Sequence, residues 1–191
     1  NDTAALGAPS SARTQKVMLA LSELNLTYEF IKASATMGPK GSVSRGKTPY
    51  GIVNTTEYLE KNPNGTIPTI SDEGFILWES NAIVQYLGMK YNPKLFYDAN
   101  IETFASASRW MMWENNQLIP PMHDLAKHLY RLPENQRDEN VVRTSKEKLF
   151  LEFQKVEVQL SKTRFISGDQ WCMGDIPCLL YTSPSPRDKR Q

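Results

Sequence analysis

Residues 62–87 read NPNGTIPTISDEGFILWESNAIVQYL, and this stretch decides the fold. Asn62-Pro63-Asn64-Gly65 breaks the chain, after which residues 67–70 read as a strand. Ser71-Asp72-Glu73-Gly74 is turn chemistry and residues 75–78 (FILW) are a second strand, so the pair reads as a hairpin. Ser80 then caps a helix whose Ile83, Val84 and Leu87 fall on one face.

Working towards the N-terminus, residues 56–62 read as a short helix, and residues 32–53 lose periodicity and gather Gly, Ser, Lys and Pro as a surface loop does. Residues 27–31 (TYEFI) are rich in β-formers. Residues 13–24 carry Val17, Ala20, Leu21 and Leu24 at helical spacing, with Asn25 as a stop. Towards the C-terminus the strand signals end at Pro93. Phe104, Ala107, Met111 and Leu118 mark one helix, and Val142, Leu149, Phe153, Val156 and Leu160 a longer one, punctuated by Pro120-Pro121, Pro133 and Gly168. The expected organisation is an α/β domain over 1–92, a linker over 93–100 and an all-α domain over 101–177. Residues 178–191 (CLLYTSPSPRDKRQ) abruptly replace a helix-start signal, MGDIP, and resemble a translated transposon-end sequencing adapter. The natural chain is therefore expected to be known only to Pro177, without its final helices, and to be incomplete before Asn1.

Composition narrows the function classes. The chain has 191 residues, 40% of them hydrophobic and 23% charged, as a globular protein of one large or two small units does. Lys plus Arg number 22 against 21 acids, for a formal charge of +1, so no overall field favours nucleic acid or an anionic membrane. Lys40, Arg45 and Lys47 make only a local cluster in the loop. No apolar run is long enough to span a bilayer and no signal peptide opens the chain, so the expected location is cytoplasmic. Cys172 and Cys178 cannot build a disulfide framework, and His123 and His128 do not share a helix face, so no metal site is expected.

Three short segments carry candidate chemistry. Ser10-Ser11-Ala12-Arg13 opens the first helix, where free N–H groups and the macrodipole stabilise an anion and a hydroxyl can donate to a thiolate; the same serines also suit a simple helix cap. At Thr66-Ile67-Pro68, a proline entering a strand is either a cis bond that turns the Ile67 backbone towards a cleft or an ordinary edge-strand proline. In Glu79-Ser80-Asn81, the hydroxyl and the helix N–H groups suit a carboxylate and the acid suits an ammonium, while a plain cap is again the alternative.

Their combination and order resemble the glutathione transferase family. The lines carrying the resemblance are SSARTQKVMLALSELNLTYEF, NPNGTIPTI, ILWESNAIVQYL, WMMWENNQL and GDQWCMGDIP, over nearly all of residues 6–177. The resemblance implies a thioredoxin-like N-terminal domain with a mixed sheet that holds glutathione, and a helical domain that supplies much of the second substrate's pocket. It implies Ser11 as the catalytic serine, with Ser10 the alternative and Arg13 beside it. Pro68 then matches the cis-proline, Ile67 the backbone that pairs with the cysteinyl part, and Glu79 and Ser80 the grip on the γ-glutamyl end. Thr66 stands where several relatives carry a base for the glycyl carboxylate, a contact that falls instead to Lys61 or the long loop, or is not made. Cys172 replaces the Ser or Thr that caps a helix with Asp175, so a weakened cap is expected. The implied reaction is attack of glutathione thiolate on a small, apolar electrophile by a detoxifying homodimer needing no metal. Trp110, Met111 and Trp113 are candidates for an aromatic wall or for core. A glutathione-dependent disulfide reductase and a non-catalytic interaction module are the competing functions; serines in place of a cysteine at the helix start disfavour the first.

Overall fold

The computed structural model describes residues 2–33, 51–97 and 100–177; most of the expected surface loop, with Lys40, Arg45 and Lys47, and the tail 178–191 lie outside the described residues. Strand β1 (Thr3–Gly7) leads into helix α1 (Ala12–Glu23), followed by β2 (Glu29–Lys32), α2 (Thr56–Lys61), β3 (Thr69–Asp72), β4 (Phe75–Trp78) and α3 (Ser80–Tyr91). The strands form one sheet in the order β2-β1-β3-β4. β1 runs parallel to β2 and antiparallel to β3, and β3 is antiparallel to β4, which makes the sheet mixed.

Alternation along β1 separates two apolar layers, because successive side chains point to opposite faces. Ala5 joins Val17, Ala20 and Leu21 of α1 and Ile83, Val84 and Leu87 of α3, while Leu6 joins Ala33, Val53 and Tyr58 beside α2. Burying each Val, Leu or Ile side chain among them contributes about 1.5–3 kcal/mol. Asn25 ends α1 with φ of 52°, a left-handed residue that asparagine tolerates after a helix.

Several boundaries differ from the sequence expectations. β3 begins at Thr69 rather than at residue 67, since Pro68 has no N–H to give a ladder. It also runs on through Ser71 and Asp72, whose turn-forming character is overridden by burial: Asp72 Oδ1 accepts from Thr3 Oγ1 (2.7 Å) and Tyr91 OH (2.8 Å), and Oδ2 from Tyr86 OH (2.7 Å) and Lys90 Nζ (2.8 Å). The hairpin turn shrinks to Glu73-Gly74, both with positive φ (52° and 85°), as a tight two-residue turn requires. Thr3 enters β1 as the partner of Asp72. Ser80 is not the cap of α3 but its first helical residue; Glu79 holds the cap position with φ 72° and ψ 113° and makes no side-chain capping bond.

Beyond α3 the chain is helical. Residues 93–100 include a short helix, α4 (Pro93–Tyr97), whose Phe96 is fully buried and packs edge-on against Trp171 at 5.5 Å. Gly88 of α3 makes room for it: a Cβ there would fall 2.5 Å from the Phe96 ring. α5 (Ile101–Trp113) continues through a π-helical turn (Glu114–Leu118) into α6 (Ile119–Ala126), a second π turn (Lys127–Arg131) and, after a 3-10 turn, α7 (Glu139–Leu160). Pro120-Pro121, a punctuation signal in the sequence, lies within the first turn of α6, where a missing N–H is tolerated. Asn100 and Asp138 cap α5 and α7 by accepting from N–H groups of their first turns. Despite Cys172, the acid half of the later cap is made, with Asp175 accepting from the N–H groups of Cys172 and Ile166, both at 2.8 Å.

Candidate functional site

Strand register gathers the three segments. Leu6 pairs with Thr69, and Thr69 with Trp78, so the C-terminal ends of β1 and β4 lie beside the N-terminal end of β3. Ser10-Ser11 follows the first, Thr66-Ile67-Pro68 precedes the third and Glu79-Ser80 follows the second. All emerge at one end of the sheet.

The β1–α1 junction is tightly built. Ser11 N–H bonds to Ala8 O (2.9 Å), Thr14 Oγ1 accepts from Ala8 N–H (3.3 Å), and a Cβ on Gly7 would collide with the Thr14 side chain. Ser11 takes the cap position of α1, where its Oγ accepts from Thr14 N–H at 3.4 Å. The capping reading therefore holds, and the hydroxyl keeps its own proton to donate. Ser10 and Arg13 are exposed. The first turn of α1 carries no acid, so nothing there offsets the positive end of its dipole.

The Ile67-Pro68 peptide is cis. Neither the N–H nor the C=O of Ile67 pairs with another backbone group among the described residues. Thr66 is locked from behind: its C=O accepts from Tyr58 OH (2.7 Å) and Asn62 Nδ2 (2.9 Å). Asn62 Nδ2 also donates to Thr69 Oγ1 (3.1 Å), which lies 3.0 Å from Tyr58 OH. Burial pushes the Tyr58 phenol up, against the lowering effect of its bonds with Thr69 and Asn62, so it stays protonated as a donor. Ser80 is 4% exposed and Glu79 is exposed. The positive φ of Glu79 is a strained conformation for a residue with a side chain, of the kind that clusters at functional sites.

The tryptophans are not a wall with Met111. Met111 is fully buried in the main core, while Trp110 and Trp113 stack edge-on at 5.2 Å and pack with Val156 and Ile166. Trp113 Nε1 donates to Glu152 Oε2 (2.8 Å). The His123 imidazole is held below its ordinary pKa by burial first and then by Arg131, opposed by Asp124.

Two groups escaped the sequence reading. The Tyr58-Asn62-Thr69 latch was hidden inside what looked like a turn signal. The other is Lys16, fully buried on α1 against the fully buried Glu114 (2.7 Å). A cation four residues before Ala20 on the inward stripe was the available signal, since a buried charge demands a partner. Among the described residues, no helix is long and apolar enough to cross a membrane, and no group of three or more His, Cys, Asp and Glu is placed to hold a metal ion.

A mixed four-stranded sheet with helices on it, a cis-proline before its third strand and a following helical half make up a thioredoxin-like domain joined to a helical one. Residues 6–95 match the family model for the glutathione S-transferase N-terminal domain. Glutathione S-transferase GstB of Escherichia coli (strain K12) is 33% identical over 172 residues, covering 89% of this chain and 76% of that protein. The crystal structure of the theta class glutathione S-transferase from Xanthomonas axonopodis pv. citri with glutathione bound superposes with a TM-score of 0.79 at 29% identity, covering 92% of this chain and 78% of that one. Glutathione S-transferase I from maize in complex with an atrazine glutathione conjugate gives 0.78 at 25% identity, covering 95% and 80%. The chain belongs to the glutathione S-transferase family and is a glutathione transferase with the thioredoxin-like and helical halves that its sequence implied.

Proposed function

We propose that this enzyme is of the serine type, conjugating the thiolate of glutathione, activated by Ser11, to a small, apolar electrophile. The observation that carries the reading is the register through Leu6, Thr69 and Trp78, which puts the Ser11 cap, the Ile67 backbone, unpaired among the described residues, and the Glu79-Ser80 turn at one end of the sheet. In this reading the Ile67 backbone pairs with the cysteinyl part as an added strand does, and Ser80 with the α3 N–H groups receives the γ-glutamyl carboxylate. Glu79 faces the γ-glutamyl ammonium. Ser10, exposed and outside the cap, is the lesser candidate. Arg13 lies beside the thiol, and Thr66 contributes position rather than charge. The maize neighbour's complex with an atrazine glutathione conjugate supports conjugation of glutathione to a small electrophile. A detoxifying homodimer in the cytoplasm, divided near residues 92 and 101, completes the proposal.

A free thiol with a pKa of about 8.5 is mostly protonated at neutral pH, and the thiolate is the nucleophile. A hydrogen bond to a charged group contributes about 1.5–3 kcal/mol, and each pH unit corresponds to about 1.36 kcal/mol, so one Ser11 hydroxyl lowers the thiol pKa by about one to two. The α1 dipole acts in the same direction. Titrating the thiolate absorbance of bound glutathione in the parent and in Ser11→Ala tests this. Thiolate at neutral pH in the parent and its loss in the variant is the expected result; binding without thiolate in the parent favours the reductase or scaffold functions instead.

A further inference from the structure

Lys16 is 1% exposed on the inward face of α1, next to Val17 and Ala20, and its ammonium donates to both oxygens of Glu114 at 2.7 and 2.8 Å. It also donates to Asn81 Oδ1 (3.2 Å). Asn81 Nδ2 donates in turn to Met111 O (2.9 Å) and Glu114 Oε2 (3.2 Å). Glu114, fully buried, opens the π turn that follows α5, and such turns are frequent at functional sites. The triad therefore joins three places: α1, whose cap is Ser11; α3, one residue after Ser80; and the junction of α5 with its π turn in the helical half.

Packing alone does not call for charge here. Replacing a buried ion pair with apolar groups of similar volume is often neutral or stabilising, whereas breaking one half of it is strongly unfavourable. What short charge-assisted bonds add is fixed direction and distance, where apolar contacts can slide. The two helix starts so fixed are the ones assigned above to the thiol and to the γ-glutamyl carboxylate of glutathione. We propose that Lys16, Glu114 and Asn81 are positioning residues that set the spacing between Ser11 and the Ser80 grip, so that the helical half governs how well bound glutathione is oriented for ionisation. This rests on the transferase reading above.

The test is a Lys16→Met/Glu114→Leu double variant, which removes both charges and keeps the volume. It is expected to unfold at or above the parent's temperature, while kcat/KM for glutathione falls by about ten- to a hundredfold, as small misplacements of reacting groups do. The thiolate titration of bound glutathione moves to higher pH, and KM for a chlorodinitrobenzene as electrophile is unchanged. Lys16→Arg, which keeps a charge that can fork onto Glu114, is expected to retain the parent's titration. A folded double variant with the parent's glutathione KM and titration overturns the proposal and leaves a purely structural pair. Should the double variant not fold, Asn81→Ala decides, since it leaves the ion pair in place: a raised glutathione KM supports the positioning role and an unchanged one overturns it. A parent that binds no glutathione sinks the transferase reading and this proposal together, whereas a parent that binds beside an unaffected variant sinks the proposal alone.

Discussion

A serine hydroxyl has one proton to donate and two lone pairs, and at Ser11 only a lone pair is spent on the helix, by Thr14 N–H at 3.4 Å. Capping and activation are therefore compatible, and substitution can separate them. Ser11→Ala removes both and lowers stability by about 1 kcal/mol, whereas Ser11→Gly caps within a few tenths of the parent yet has no hydroxyl. The expected outcome in urea unfolding and steady-state assays is a near-native stability for Ser11→Gly with the same loss of conjugation at neutral pH as Ser11→Ala; Ser10→Ala is expected to leave both unaffected. At this scale each of the three short segments left a plain cap or an ordinary proline open, and only their combination and order pointed to a cis bond at Pro68, which the structure has. The sequence did not reveal that Glu79 rather than Ser80 takes the cap position, since a φ of 72° in a glutamate is imposed by the surrounding fold and not by its own propensity.

Among the elements, β3 shows how burial overrides turn propensity. Asp72 is fully buried, and burial works against its charge, but Lys90, Thr3, Tyr86 and Tyr91 more than offset this and bring its pKa to about 2 from 3.8. A carboxylate lowered on folding stabilises the protein above its unfolded pKa, and that contribution disappears as pH falls through the folded value. The expected stability contribution at neutral pH is about 2 kcal/mol, lost between about pH 4 and pH 2. Urea unfolding across that range is expected to show the slope in the parent and not in Asp72→Asn. Lys90 is raised by the same partnership with Asp72 and then Glu73. The hydrophobic pattern located the hairpin but misplaced its ends, because Ser71 and Asp72 look like a turn until Thr3, Tyr86, Lys90 and Tyr91 are known to surround Asp72. In α3, Gly88→Ala gains helix propensity of about 1 kcal/mol but drives a Cβ into the Phe96 ring. The net expectation is a loss of about 1–3 kcal/mol from overpacking, read as a lower unfolding midpoint.

At the scale of the whole molecule, two halves of different architecture are joined across a seam that includes one buried cation and one buried anion. Lys16→Met alone strands Glu114 and is expected to lower stability by about 3–5 kcal/mol, in contrast to the near-neutral double replacement. A double-mutant cycle by thermal unfolding measures that difference directly. The division into an α/β half and a helical half was legible from where strand signals stop. The seam itself was not, because it depends on pairs such as Lys16 with Glu114 that lie far apart in the chain, and because residues 93–97, taken for a connection, are a helix anchored by Phe96.

The sheet also has a quiet end. The register that brings Leu6, Thr69 and Trp78 together sends Thr3, Asp72 and Phe75 to the opposite edge, where the chain turns back through Glu73-Gly74. Both turn residues face solvent. An affinity tag, a fluorophore or a surface tether spliced there sits a full strand length from the end of the sheet proposed to hold glutathione. The enzyme accordingly comes with a natural handle for immobilisation at the end of the sheet remote from the proposed site.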